Sequence, residues 1–324
     1  MRSQPSGFVS STVLQLLVLG AGLSWLQTSA RAQADVAKKK GTVERVKVHG
    51  KSLEANLEGD SPDRDVFVYL PPSYATDTNR RYPVVYFLHG YSVPAERYWN
   101  LMTVPATADK QMDAGTVREF ILVHPDAYTI YSGSMYSNSP TTGDWEAYIT
   151  HDLVDYVDSH YRTIAGRDSR GLAGHSMGGY GTLRIGMKHP EVYSAIYAMS
   201  SCCLMNNPAA ARPAPNRQPA AAAEGSAGGR RVAKWIANSP LAMVDQYVPN
   251  LNQYHSIMMD VGLQDGLAAS NTEMDRSLTR LGVMHTFETY EGDHTNRVKE
   301  RFETRVLPFF SESLKFQAEH AEPH

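Results

Sequence analysis

Five residues near the middle of the chain carry the clearest chemical signal: Gly174-His175-Ser176-Met177-Gly178. A serine hydroxyl is a poor nucleophile at neutral pH. Covalent chemistry at Ser176 therefore needs a base to take its proton and an acid to orient that base. Gly-x-Ser-x-Gly recurs by chance, so the neighbouring elements decide. Arg170-Gly171-Leu172-Ala173 reads as a strand, and Gly179 to His189 as a helix stopped at Pro190. Strand, sharp turn and helix is the setting a nucleophile elbow requires. Ser176 is then expected in a strained backbone conformation, with Gly174 and Gly178 leaving room where strand and helix approach.

In such a site the order along the chain is serine, then carboxylate, then histidine. His294 follows Gly292-Asp293 just after an expected strand, on a loop from which a ring can reach the elbow. His285 opens that strand and so belongs to the far end of the sheet, and His255, His320 and His324 have no matching context. For the acid, Asp265 follows the strand ending at Val261-Gly262, past the carboxyl edge where such sites assemble. Its rivals are Asp260, still inside the apolar strand, and Asp293, which would force His294 to fold back on its neighbour. The tetrahedral intermediate needs two N–H donors for its oxyanion. Met177 N–H, the first after the nucleophile, is one candidate, and Tyr91 N–H, in Leu88-His89-Gly90-Tyr91, is the other.

These residues need a frame that brings them to one edge. Val43 to Val48 and Asp65 to Leu70 alternate apolar and polar residues, the period of half-buried strands. Pro83 to Leu88 and Phe120 to Val123 are continuous apolar runs, as in strands covered on both faces. Further strands are expected at Arg170 to Gly174, Ala195 to Met199, Ile257 to Val261 and Thr286 to Tyr290. From Trp145 the spacing turns helical, with Ile149, Leu153, Tyr156 and Val157 on one face. A last helix is expected from about Thr295 to Phe316. The outcome is an α/β fold: a mostly parallel central sheet of about eight strands with helices on both faces.

The ends and one insertion fall outside that pattern. Arg2, the apolar stretch Val13 to Leu26 and Ala32-Gln33-Ala34 form a secretory signal peptide over residues 1–34, with cleavage after Ala34. About 14 apolar residues are too few to span a bilayer, which takes about 20. Export to the periplasm or medium is expected, followed by a linker at 35–42, a catalytic domain at 43–318 and a tail at 319–324. Removing Arg2 and Arg31 takes the formal charge from −3 to −5, with no basic stripe for nucleic acid. No second long apolar run suggests membrane attachment after cleavage, and oligomeric state is left open. Residues 206–231, rich in Ala, Pro, Gly and Arg, read as a flexible insertion or a flap over the site.

The chain resembles the esterase D-like (putative esterase) family of α/β-hydrolases, which includes feruloyl and acetyl xylan esterases, S-formylglutathione hydrolases and mycolyltransferases. The matching pieces are Tyr86-Phe87-Leu88-His89-Gly90, Asn138-Ser139-Pro140 to Trp145-Glu146, the Ser176 elbow with Gly179-Tyr180-Gly181, Gly262-Leu263-Gln264-Asp265 and Gly292-Asp293-His294. The resemblance implies an α/β-hydrolase fold, Ser176, Asp265 and His294 as a triad, and Tyr91 and Met177 as oxyanion donors. It implies a serine esterase for extracellular acyl, aryl or carbohydrate esters, with an acyltransferase as the nearest alternative. A peptidase or a non-catalytic binding module fits less well. No ligand spacing calls for a metal, and no cofactor is expected. Tyr131, Tyr136 and Trp145 are candidate substrate contacts or else core. The insertion and the pair Cys202-Cys203 depart from the family pattern. These two cysteines, the only ones in the chain, are expected either as a strained vicinal disulfide in the pocket wall or as two buried thiols.

Overall fold

The computed structural model describes residues 40–204 and 238–318. The expected leader at 1–34, residues 35–39 of the linker, the whole insertion at 206–231 and the tail at 319–324 lie outside these residues. Eight strands form one sheet: β1 (Thr42–His49), β2 (Asp63–Leu70), β3 (Val84–Leu88), β4 (Ile121–Pro125), and, beyond a two-residue pair β5 (Asn138–Ser139) and β6 (Gly143–Asp144), β7 (Arg170–His175), β8 (Ala195–Met199), β9 (Ser256–Gly262) and β10 (Thr286–Tyr290). Their order is β1-β2-β4-β3-β7-β8-β9-β10. No long helix separates β1 from β2, so they pair antiparallel from Thr42 opposite Leu70 to His49 opposite Asp63. β2 is also antiparallel to β4. From β4 onward every pairing is parallel, which brings the carboxyl ends of β3, β7, β8, β9 and β10 to one edge.

The continuous apolar runs follow from burial on both faces. Val84, Tyr86 and Leu88 of β3 face one core with Tyr148, Leu153, Leu183 and Met274, while Val85 and Phe87 face a second with Trp99, Phe302 and Phe310. Helices Leu153–His160, Met177–Lys188 and Ala268–Arg280 supply side chains to the first core. Ala95–Leu101, Val104–Asp113 and Leu307–Ser313 cover the other. The last helix begins later than its sequence suggests, at Val298, because Asp293 to Asn296 form a turn. It passes through a wide π turn at Phe302–Val306 before Pro308, which has no N–H to return to Thr304. Among the described residues, no helix is long and apolar enough to cross a membrane.

Candidate active site

β7 runs directly into the helix Met177–Lys188, and Ser176 occupies the turn between them with φ 58° and ψ −111°. That conformation is costly for a residue with a side chain, and it persists because the surroundings fix it. Ser176 N–H donates to the Met199 carbonyl of β8 at 2.9 Å. A Cβ on Gly178 would lie 1.9 Å from the Leu88 carbonyl oxygen, and one on Gly174 would lie 2.4 Å from the Gly178 backbone. Only glycine lets the helix come this close to β3 and β7.

His294 reaches the elbow from the loop after β10. Its Nε2 lies 2.9 Å from Ser176 Oγ and its Nδ1 lies 2.8 Å from Asp265 Oδ2. Asp265 sits on the turn after β9, where its other oxygen accepts the Leu267 N–H at 2.9 Å, so the carboxylate has one orientation. Burial pushes the Asp265 carboxyl up. The hydrogen bonds from His294 and the Leu267 amide outweigh it and hold the group below the ordinary carboxylate range. The two loops are clipped together: Leu263 N–H donates to Tyr290 O, Gln264 N–H to Gly292 O, and Gly292 N–H to Gln264 Oε1.

The rival residues have other partners. Asp260 takes the Tyr197 hydroxyl and Arg301 Nε, both at 2.7 Å, inside the fold. Asp293 accepts the Thr295 and Asn296 amides at 2.8 Å, closing its own turn. His285 is held by Asp275 and the Val283 carbonyl, and His255 lies 3.7 Å from Asp168.

The loop after β3 is set by groups that the sequence did not single out. His89 is fully buried; its Nε2 accepts the Ala127 N–H at 2.8 Å, so Nδ1 carries the proton and donates to the Gly90 carbonyl at 2.8 Å. With that carbonyl fixed, the N–H of the same peptide, that of Tyr91, is turned to the opposite side. The Tyr98 hydroxyl packs against Gly90, where a Cβ would lie 2.2 Å from that oxygen. Tyr98 O–H in turn donates to His175 Nδ1 at 2.8 Å, and His175 Nε2 donates to the His294 carbonyl at 2.8 Å. Burial, with His294 beside it, pushes His175 down to about 3. A neutral His175 is what this donor and acceptor pair demands. The signal for this relay was present in the pentapeptide, since His175 flanks the nucleophile. Its partner Tyr98 is far away in sequence.

The three aromatic candidates separate. Tyr131 is 60 % exposed on the rim, beside Ile130 at 63 % and Tyr128 at 37 %, and Tyr91 donates its hydroxyl to the Tyr131 carbonyl at 2.6 Å. Tyr136 and Trp145 do not face a substrate surface: both are core side chains. Tyr136 packs on Gly181 and donates to the His89 carbonyl at 3.1 Å, while the Trp145 indole donates to the Thr142 carbonyl at 2.7 Å beneath Arg64. Both therefore act on the site only through the loops they hold. Cys202 and Cys203 stand as two free thiols, with Sγ atoms 2.9 Å apart, rather than as a vicinal disulfide.

Residues 61–308 match the family described as putative esterase. The chain belongs to that family. Among its relatives, esterase Rv1288 of Mycobacterium tuberculosis is 31 % identical over 128 residues, 38 % of this chain and 26 % of the relative. S-formylglutathione hydrolase of Paracoccus denitrificans is 27 % identical over 147 residues, 41 % of this chain and 50 % of the relative. The matches thus span between a quarter and half of these curated relatives. A solved ferulic acid esterase superposes with a TM-score of 0.69 at 25 % identity, covering 84 % of this chain and 98 % of that one. The fold is that of the family's α/β-hydrolases.

Proposed function

We propose that the chain is a carboxylic-ester hydrolase that works through an acyl-enzyme on Ser176. The observation carrying this reading is the hydrogen-bonded line from Asp265 through His294 to Ser176 Oγ, at 2.8 and 2.9 Å, ending on a serine at a strained elbow. Ser176 Oγ attacks the ester carbonyl while His294 Nε2 takes its proton. Asp265, ionised at neutral pH, fixes the His294 tautomer and stabilises the imidazolium. The oxyanion collects on the Tyr91 and Met177 amides, each contributing about 3 kcal/mol to the transition state. Met177 opens its helix and so has no helical partner for its N–H. His294 then protonates the leaving alcohol, and the same base activates water to free the acid.

The exposed Tyr91 and Tyr131, bonded to each other on the loops that pack beside Met177, support esters that carry an aryl or other apolar group. The similarity to a ferulic acid esterase supports the same class. The leader pattern at residues 1–34 supports export, and hence extracellular aryl or carbohydrate esters as substrates. The test is a panel of acetyl, butyryl, long-acyl and feruloyl esters, run with wild type and Ser176→Ala. Turnover of at least one ester should fall by about 10⁴ or more in Ser176→Ala. Full turnover by that variant would defeat the reading.

A further inference from the structure

Cys202 and Cys203 follow β8 on the edge of the sheet that carries Ser176, and the ester chemistry gives them no task. Their turn is held at three points. Ser200 N–H donates to the Asp260 carbonyl at 2.8 Å. The buried Asn271 side chain brackets Ser201, accepting its N–H at 3.1 Å and donating to its carbonyl at 2.9 Å. Cys202 N–H donates to the carbonyl of Ser176 itself at 3.1 Å. Ser200 and Cys203 have φ of 41° and 60°, conformations that L-residues keep only when the surroundings impose them. The result aims the thiols of two half-buried residues at each other, with Sγ atoms 2.9 Å apart. The pair is asymmetric. The hydrogen bond from Cys202 holds the Cys203 thiol below its ordinary range, and the same bond, with burial, pushes Cys202 up. A thiol held against a neighbour that eases its ionisation, with that neighbour in reach as the resolving group, is the arrangement that thiol–disulfide exchange uses.

We propose that Cys202 and Cys203 form a second reactive site, a dithiol that exchanges with small disulfides, and that the vicinal disulfide so formed reversibly lowers turnover at Ser176. Cys203 thiolate attacks one sulfur of the small disulfide, forming a mixed disulfide and expelling one thiolate. Cys202 loses its proton to solvent and attacks Cys203 Sγ, forming the Cys202–Cys203 bond and expelling the second thiolate. Two electrons pass from the protein thiols to the small disulfide, which leaves as two thiols. The sulfurs must close from 2.9 Å to about 2.05 Å. Adjacent Cα atoms are about 3.8 Å apart, below the usual disulfide range, so the ring strains the peptide between the cysteines. That strain bears on the hydrogen bond from Cys202 to the Ser176 carbonyl, and it keeps the bond easily reduced.

The effect on turnover rests on the proposed esterase reading, and the exchange itself does not. Wild type is equilibrated in glutathione buffers of rising oxidised fraction and then alkylated. Free thiols are counted by mass spectrometry, and initial rates on a nitrophenyl ester are measured on the same samples. The thiol count should pass from two to zero in one step, and the rate should fall at least fivefold on the same curve. Both should return with excess dithiothreitol, and Cys203→Ser should show a flat rate. Two thiols persisting in the most oxidising buffer would overturn the proposal, as would loss of both thiols with the rate within twofold, or an equal fall in Cys203→Ser. If reduced wild type turns over no ester, the esterase reading fails alone, because the thiol count still reports the exchange.

Discussion

Asp260 and Asp265 leave the same strand five residues apart, yet the end of β9 and the turn beyond it use their carboxylates in opposite ways. At Asp260 one oxygen faces Tyr197 and Arg301, which also reaches Glu288 at 2.6 Å, and the other oxygen is buried without a partner. Burial dominates there and raises the carboxyl, and the Arg301 ion pair offsets only part of that. At Asp265 one oxygen is fixed by a backbone amide and the other meets a histidine 36 % exposed at its side chain, so hydrogen bonding prevails and the carboxyl is lowered. Burial alone does not single out the carboxylate proposed as catalytic. What marks it is a titratable partner that itself faces the reacting atom.

This contrast breaks if the two carboxylates are exchangeable. The largest effect is expected for Asp265→Asn, which presents the wrong hydrogen-bonding groups to His294 and should lower kcat by about 10⁴. Its melting temperature at neutral pH should fall only slightly, and steady-state kinetics with thermal melting on one preparation checks both. Arg301→Met should do the reverse. It leaves Asp260 buried without its cation and should cost about 3–5 kcal/mol in denaturant unfolding, while kcat of the folded fraction stays within a few-fold. A stable but inactive Arg301→Met would erase the division. Tyr98→Phe removes the hydroxyl that packs on Gly90 and donates to His175 and should lower kcat about tenfold, worth about 1.4 kcal/mol, with little change in KM. A change in KM alone would move Tyr98 out of the positioning role. The smallest effect concerns pH. A lowered carboxyl contributes stability above its unfolded value, 3.8 for aspartate, and loses it as pH falls through the lower folded value. The stability gap between wild type and Asp265→Asn should therefore be full at neutral pH and shrink only below about 3.8, as urea titrations at stepped pH would read.

Sequence carried the site further than it carried the loops around it. Ser176, Asp265 and His294 were legible because each follows an apolar strand at a place where side chains converge on one sheet edge. Tyr136 and Trp145 were not, because an aromatic residue in a Gly- and Ser-rich segment carries no sign of which way it turns. Contacts with Gly181 and Arg64, distant in sequence, decide that. The helix Ala268–Arg280 escaped because its buried face mixes Met274 and Leu278 with Asn271 and Ser277, too polar to show a stripe. Asn271 is buried there to hold Ser201, a need that arises only once the chain has folded.

The clip between the turn after β9 and the loop after β10 has a mechanical consequence. Three hydrogen bonds tie Leu263 and Gln264 to Tyr290 and Gly292, with no helix or strand spanning the gap. Acid and base therefore ride on one small clasp. The His175 Nε2 bond to the His294 carbonyl, at 2.8 Å, fastens that clasp to the residue just before Ser176, so any shift that parts His294 from the serine has a hydrogen bond to break first.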